Sequence, residues 1–259
     1  MRLYSNCILY DATVDSTGLP KAMAKDPAKL RKQNVSAHLR RAVLTLDLQP
    51  GTDLDETTLC EQFELSRTPL REVFRQLAGE GYLEWRENRG VRVSEMSHTT
   101  LREFFLVAPM IYGAVMRLAA QNADAAQIAA LKQAQMDFRA ALHSGSAPDR
   151  ALANNRFHEI TGEMSGNAYL IPSFQRLLID HARISMTFYR PQDDNMARNV
   201  AAASAQHDAI IAAIETGNEA DAAQLADDHW NLSRGQIELF VMPASLDIPL
   251  GDAPRQSAL

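Results

Sequence analysis

The chain has 259 residues, a net charge of −6 and two cysteines, Cys7 and Cys60. That length allows one large domain or two ordinary ones with a buried core, and so few cysteines exclude a disulfide framework and point to a reducing compartment, the cytoplasm. The acidic balance argues against an indiscriminate nucleic-acid binder, the N-terminus lacks the basic-then-apolar pattern of a secretion signal, and the longest apolar run, Phe104 to Met116, is too short to cross a bilayer, so no membrane association is expected.

Residues 1–33 lack periodicity, hold Gly18, Pro20 and Pro27, and carry six Lys/Arg against three Asp, so a flexible, mildly positive arm is expected. Val35, Leu39, Ala42, Val43 and Leu46 mark a first helix, stopped by Pro50-Gly51. Asp55 is placed to cap a short second helix carrying Leu59 and Phe63. In the third, Leu70, Val73, Phe74 and Leu77 recur at i, i+3, i+4 and i+7 as one buried face. Arg67, Arg71 and Arg75 step by four along a neighbouring face. Pro69 fits only a first turn, so Ser66 or Thr68 is the cap and Arg67 lies at the positive end of the helix dipole. Gly81 closes that helix. Tyr82 to Trp85 and Gly90 to Val93 then alternate as half-buried strands about Arg86-Glu87-Asn88-Arg89. Helix, short helix, turn, recognition helix and hairpin make a winged helix-turn-helix over 34–96. Bulk charge does not carry this reading, because residues 35–93 hold eight Lys/Arg against ten Asp/Glu. The placement of a few arginines must carry it.

From Ser97 onward no strand is expected. Apolar positions at helical spacing recur over 97–121, 124–143, 148–165, 168–189, 196–217 and 219–241, separated by Gly145, Gly166-Asn167, Pro191 and Gly217-Asn218. Pro172 breaks or starts a helix inside the fourth block. The fold class is therefore mainly α: an N-terminal winged helix-turn-helix followed by an all-helical bundle over 97–242. The Pro- and Gly-containing tail, 243–259, should fray.

The pieces PGTDL, LSRTPLREVFRQL, EGYLEW and NRGVRV resemble the DNA-binding domain of GntR-family transcriptional regulators. The helical second domain resembles the ligand-sensing domain of their FadR-like (FCD) branch, over residues 35–241 in all. By motif position the resemblance implies that Arg67, Thr68 and Arg71 contact bases and phosphates of double-stranded operator DNA, with Arg89 and Gly90 at a wing tip that reaches the minor groove. Arginine suits the task because its planar fork pairs with guanine or phosphate. Thr57 stands where relatives often carry another DNA-contacting arginine. The function implied is a homodimeric, effector-responsive regulator, a repressor, acting on a near-palindromic operator.

Asn154 and His158 lie four apart on one helical face, and His207 and His229 belong to two later helices. In order and spacing these match the family's metal site, which implies a divalent ion (zinc or nickel, with manganese a third choice). Many members have aspartate where this chain has Asn154, which leaves the ion's charge less compensated and favours an anionic ligand. Relatives also carry an arginine and a glutamate on the first long helix of this domain, where this chain has Ala108 and Tyr112. The effector pocket is accordingly expected around Tyr112 and Met116, with Arg183 either projecting inward as a further effector-binding residue or lying at the surface, and a small carboxylate is the implied effector class. Two other readings stand at this stage. One is a metal-dependent hydrolase on His158, His207 and His229, although Glu159 would face away from them; the other is a winged helix that binds protein rather than DNA.

Overall fold

The caps and stops written into the sequence cut the chain at nearly the same places in three dimensions. The structure, a computed structural model, describes residues 27–241. The order is α1 (Pro27–Leu44), α2 (Glu56–Phe63), α3 (Arg67–Glu80), β1 (Leu83–Arg86), β2 (Gly90–Val93), α4 (His98–Asn122), α5 (Ala125–Ser144), α6 (Ala147–Ser165), α7 (Leu170–Phe188), α8 (Asp194–Glu215) and α9 (Glu219–Val241). Asp55 caps α2 by accepting from the Thr57 N–H. Ser66 is the N-cap residue of α3, without a side-chain cap bond. Capping boxes open α5 (Asp124 with Gln127) and α6 (Ser146 with Asp149).

Three boundaries differ most from expectation, one being the end of α1, which falls at Leu44 rather than at Pro50-Gly51 because Leu46 turns left-handed at φ 61. α1 starts at Pro27, inside the stretch assigned to a flexible arm, because proline is well suited to an N-terminal turn and the positions that follow tolerate helix. Lys32 ion-pairs with Glu72 and Arg31 with Glu64, so this early part of α1 is tied to α2 and α3. Residues 1–26 of the expected arm, and the expected tail 243–259, lie outside the described residues. The first wing strand begins at Leu83 rather than Tyr82, in antiparallel register Leu83↔Val93 and Trp85↔Val91. The wing also gains an isolated bridge, Asp53↔Arg92, from the segment before α2.

Leu70, Val73, Phe74 and Leu77 of α3 pack with Val35, Leu39 and Val43 of α1 and with Leu83, Val91 and Val93 of the wing. That core is completed from the other domain: Ile179 and Ala182 of α7 are part of it. The same helix supplies Phe174, Leu178 and Ile184 to the core of the bundle, beside Tyr112, Met116, Phe157 and Trp230. The winged head is thus seated on α7 rather than merely tethered, and a cleft of about 610 Å³ between them is lined by Arg40, Tyr82, Asn155 and Arg176 among others.

The thirteen-residue apolar run lies within α4, whose 25 residues are long and apolar enough to cross a membrane by length and composition. One face, with Phe104, Ala108, Tyr112 and Val115, is buried in the bundle, while Leu106, Val107 and Met110 remain exposed.

Candidate DNA interface and histidine centre

At the leading turn of α3, Arg67, Thr68 and Arg71 are exposed, as are Arg89 and Gly90 at the wing tip. Gly90 has φ +81 with open space beside it, so the bare backbone turns sharply at the tip where a side chain would be strained. Asn88, at φ 58, makes the other left-handed turn of this hairpin. The Arg71 Nε–H donates to the Glu56 carboxylate at 3.1 Å, so the first turn of α2 holds this guanidinium in place. That orienting glutamate was not singled out from sequence; its position just after the Asp55 cap was the available signal. Thr57 is exposed beside it.

Inside the bundle, α6, α8 and α9 bring His158, His207 and His229 together, with one potential ligand atom from each within 4.8 Å of the others. Four helices of unrelated sequence position converge here, because α7 adds His181, to which no role was given from sequence. The His158 and His181 rings are 5.1 Å apart, as close as His158 is to His207 and His229, both at 5.4 Å. Phe157 stacks on His207 at 3.8 Å and 7° and fixes the plane of that ring.

Hydrogen bonds set the tautomers. Gln135 uses its amide N–H groups on the Ser204 carbonyl and on Asp208, both acceptors, so its own oxygen faces His207 Nδ1 at 3.0 Å and accepts from it. The free lone pair of His207 is then on Nε2. His229 Nδ1 is matched in the same way by Gln206 Oε1 at 3.0 Å. Buried side-chain atoms left without a partner include Asn154 Oδ1, both ring nitrogens of His158 and His207 Nε2. Orphaned acceptors are costly unless something fills the space between them.

These residues fit a divalent cation. Asn154, His158, His207 and His229 would hold it, and an imidazole-rich donor set suits zinc or nickel better than manganese. Burial, and after it the neighbouring imidazoles, pushes His158 and His207 well below the usual histidine value, and burial takes His229 to about 4. All are therefore neutral, as metal donors must be. Glu159, the carboxylate next to His158, does not serve the centre as a base: it accepts from Asn155 and Arg156 instead.

The expected effector residues separate. Tyr112 reaches the centre, its ring 5.5 Å from His158. Met116 is fully buried in the bundle core one turn further on. Arg183 turns away. Its Nη1 donates to the Ser94 carbonyl at 3.1 Å and to Asp180 at 3.3 Å, and its Nη2 to the Ser94 hydroxyl at 2.8 Å. The inward position considered for Arg183 is not taken up, because α7 borders two cores and this face meets the end of the wing. Burial lowers the Arg183 pKa to about 10, still charged at neutral pH.

Comparison with known proteins places the two halves separately. Residues 31–93 match the model described as bacterial regulatory proteins, gntR family, and residues 107–232 match the FCD domain. The HTH-type transcriptional regulator YdhC of Bacillus subtilis is 22% identical over 194 residues, 74% of this chain and 84% of that protein. The HTH-type transcriptional repressor RspR of Escherichia coli is 29% identical over 140 residues, 54% of this chain and 61% of RspR, so this match spans less than two thirds of that protein. The E. coli McbR/YncC structure superposes with a TM-score of 0.68 at 17% identity, covering 81% of this chain and 98% of that one. The gntR family model and these named relatives are regulators rather than enzymes, and none of them supports the hydrolase reading.

Proposed function

Because the chain belongs to the GntR family of bacterial regulatory proteins, in the branch that carries an FCD domain, and is a DNA-binding transcriptional regulator, we propose that it is a cytoplasmic, homodimeric repressor whose grip on a near-palindromic operator is set by a small anionic effector at a metal-containing histidine centre. The observation that carries the DNA reading is the exposure of Arg67, Thr68 and Arg71 at the entrance of α3 together with Arg89 and Gly90 on the wing. None of them is walled off by the helical domain. Repression is supported by the name of the relative RspR, a transcriptional repressor.

Dimerisation is supported by α4, where Leu106 is 64% and Met110 74% exposed on one stripe, with Val107 alongside and open space at Gly113. An apolar stripe of this kind matches a second copy of itself across a two-fold axis, and two heads then meet two half-sites. The effector reading is supported by the convergence of unpartnered ligand atoms on one buried point. When bound, the metal would supply a positive charge that draws an anion into the bundle. The link to DNA would run through α7. His181 faces the centre, and Arg183 two residues on holds Ser94 at the foot of the wing. An effector that favours one placement of α7 changes operator affinity by its preference between placements and by no more.

The test is fluorescence anisotropy with DNA from upstream of the protein's own coding region. Wild type should bind tightly, and Arg71→Ala should lose about 10- to 100-fold per half-site, the worth of one good base or phosphate contact. Arg139→Ala, on the far surface of α5, is the control. Equal affinity for all three proteins would overturn the assignment of the interface.

A further inference from the structure

The cleft of about 610 Å³ between the winged head and the bundle is lined neither by the histidines nor by the arginines at the entrance of α3. Its bundle wall is one face of α6, where Asn155, Glu159 and Glu163 follow one another at four-residue steps. The Asn155 Nδ2 donates to Glu159 Oε1 at 2.7 Å. A carboxylate only accepts, so this contact fixes which end of the amide is nitrogen and leaves Oδ1 at the other. Asn155 is 5% exposed, and that oxygen has no donor among the described residues. A buried acceptor without a donor is costly, and the side chain that bears it lines the cleft.

Charge selects the kind of donor. Both guanidiniums on the walls are committed to carboxylates, Arg40 to Glu80 and Arg176 to Asp180. Arg176 also lies against Gly81 so closely that a Cβ there would be 2.3 Å from its Cδ, which pins the arginine between head and bundle. No uncommitted cation lines the cleft to meet an anionic ligand. Acceptors, by contrast, are left over: Glu163 engages Arg156 through Oε1, and its Oε2 has no partner among the described residues. Arg156 itself is half exposed, and ion pairs of that kind are weak enough to be displaced. Across the cleft, α3 ends at Glu80, and the negative end of its dipole favours a cation. Leu178 and Ile179 add apolar lining, and the volume suits an organic molecule rather than a bare metal ion.

We infer that this interdomain cleft is a second small-molecule site and that it takes an aliphatic diamine. One ammonium is held by Glu159, Glu163 and the Asn155 oxygen, the hydrocarbon lies along Leu178 and Ile179, and the other ammonium meets the carboxyl end of α3. A ligand seated in this way ties α6 of the bundle to the recognition helix of the head. It is therefore an input to the placement of the head that is separate from the histidine centre. The site stands on the residues of the cleft alone and needs neither a metal nor an effector at the histidines.

The experiment is calorimetric titration of the full-length protein at physiological salt, with putrescine, butylamine, magnesium and succinate as separate probes. Wild type binds one putrescine per chain, binds butylamine more weakly, and keeps its putrescine affinity in the presence of equal magnesium or succinate. Glu159→Gln combined with Glu163→Gln keeps the shape of the wall and the Asn155 contact but removes both charges, and weakens putrescine about 10- to 100-fold, the worth of hydrogen bonds to a charged partner. Asn155→Leu, with its fold checked by circular dichroism, weakens it as well. Glu215→Gln removes a carboxylate of similar exposure from α8, away from the cleft, and leaves binding unchanged, which separates a built site from general attraction to an acidic protein. Equal affinity in wild type and the double variant, an equal loss in Glu215→Gln, displacement by magnesium, or a preference for succinate would each overturn the inference. Zinc binding and operator binding are measured separately, so their failure and that of the cleft are distinguishable.

Discussion

At the scale of single residues, the histidines carry a testable charge state. Burial and the neighbouring His229 hold His181 down to about 3, and His229 itself is at about 4, against an ordinary value of 6.5. The unfolded chain therefore takes up protons that the folded chain refuses. Stability from these imidazoles is complete above pH 6.5 and is lost as pH falls toward 4. In chelator, the free energy of unfolding should drop across that window with a slope of up to about 1.4 kcal/mol per pH unit for each imidazole, with the melting temperature falling in step, and His181→Phe should remove one imidazole's share of the slope. A melting temperature flat with pH in wild type would contradict neutral burial. The sequence made His158, His207 and His229 legible through the order and spacing of a known pattern. His181 was not legible, because its place beside the centre depends on the Tyr112 hydroxyl 69 residues away and on the rotation of α7, neither of which spacing records.

At the scale of elements, the helices were readable from caps and apolar periodicity, but the allegiance of their faces was not. α7 shows why. Its sequence presents apolar residues nearly all the way round, and only the packing reveals that Ile179 and Ala182 serve the winged head while Phe174 and Leu178 serve the bundle. Arg183 lies between these allegiances, which is how an inward expectation became an interdomain bond. Two substitutions separate its contributions. Ser94→Ala removes one acceptor and leaves the carbonyl bond, so it should cost about 0.5–1.5 kcal/mol. Arg183→Met leaves the Ser94 carbonyl without its donor while Asp180 keeps its pair with Arg176, and should cost about 1–3 kcal/mol in urea unfolding. If α7 is the link between centre and head, Ser94→Ala should also blunt the change in operator affinity that a bound effector causes, with effector affinity itself retained. An undiminished effect on DNA would place the coupling elsewhere.

At the scale of the whole molecule, the charge of −6 leaves little general attraction for DNA, so affinity must come from a few well-placed arginines. The proposed two-fold would serve those energetics as much as operator symmetry, by using each arginine twice. Once one head is seated, the second binds at an effective concentration in the millimolar range, which raises overall affinity by about 10²–10⁴ without any new contact. The exposed stripe of α4 is the surface that would create this gain. Leu106→Glu combined with Met110→Glu places like charges opposite one another across a self-matching face, and neither residue supports the buried core. Light scattering should report a monomer with unchanged helical content. Operator affinity should fall by the same two to four decades, and the slope of log K against log salt should halve as the phosphate contacts of one head are lost. A monomer that kept full affinity and full slope would mean that a single head reads the whole operator, and the pairing of heads through α4 would have to be given up.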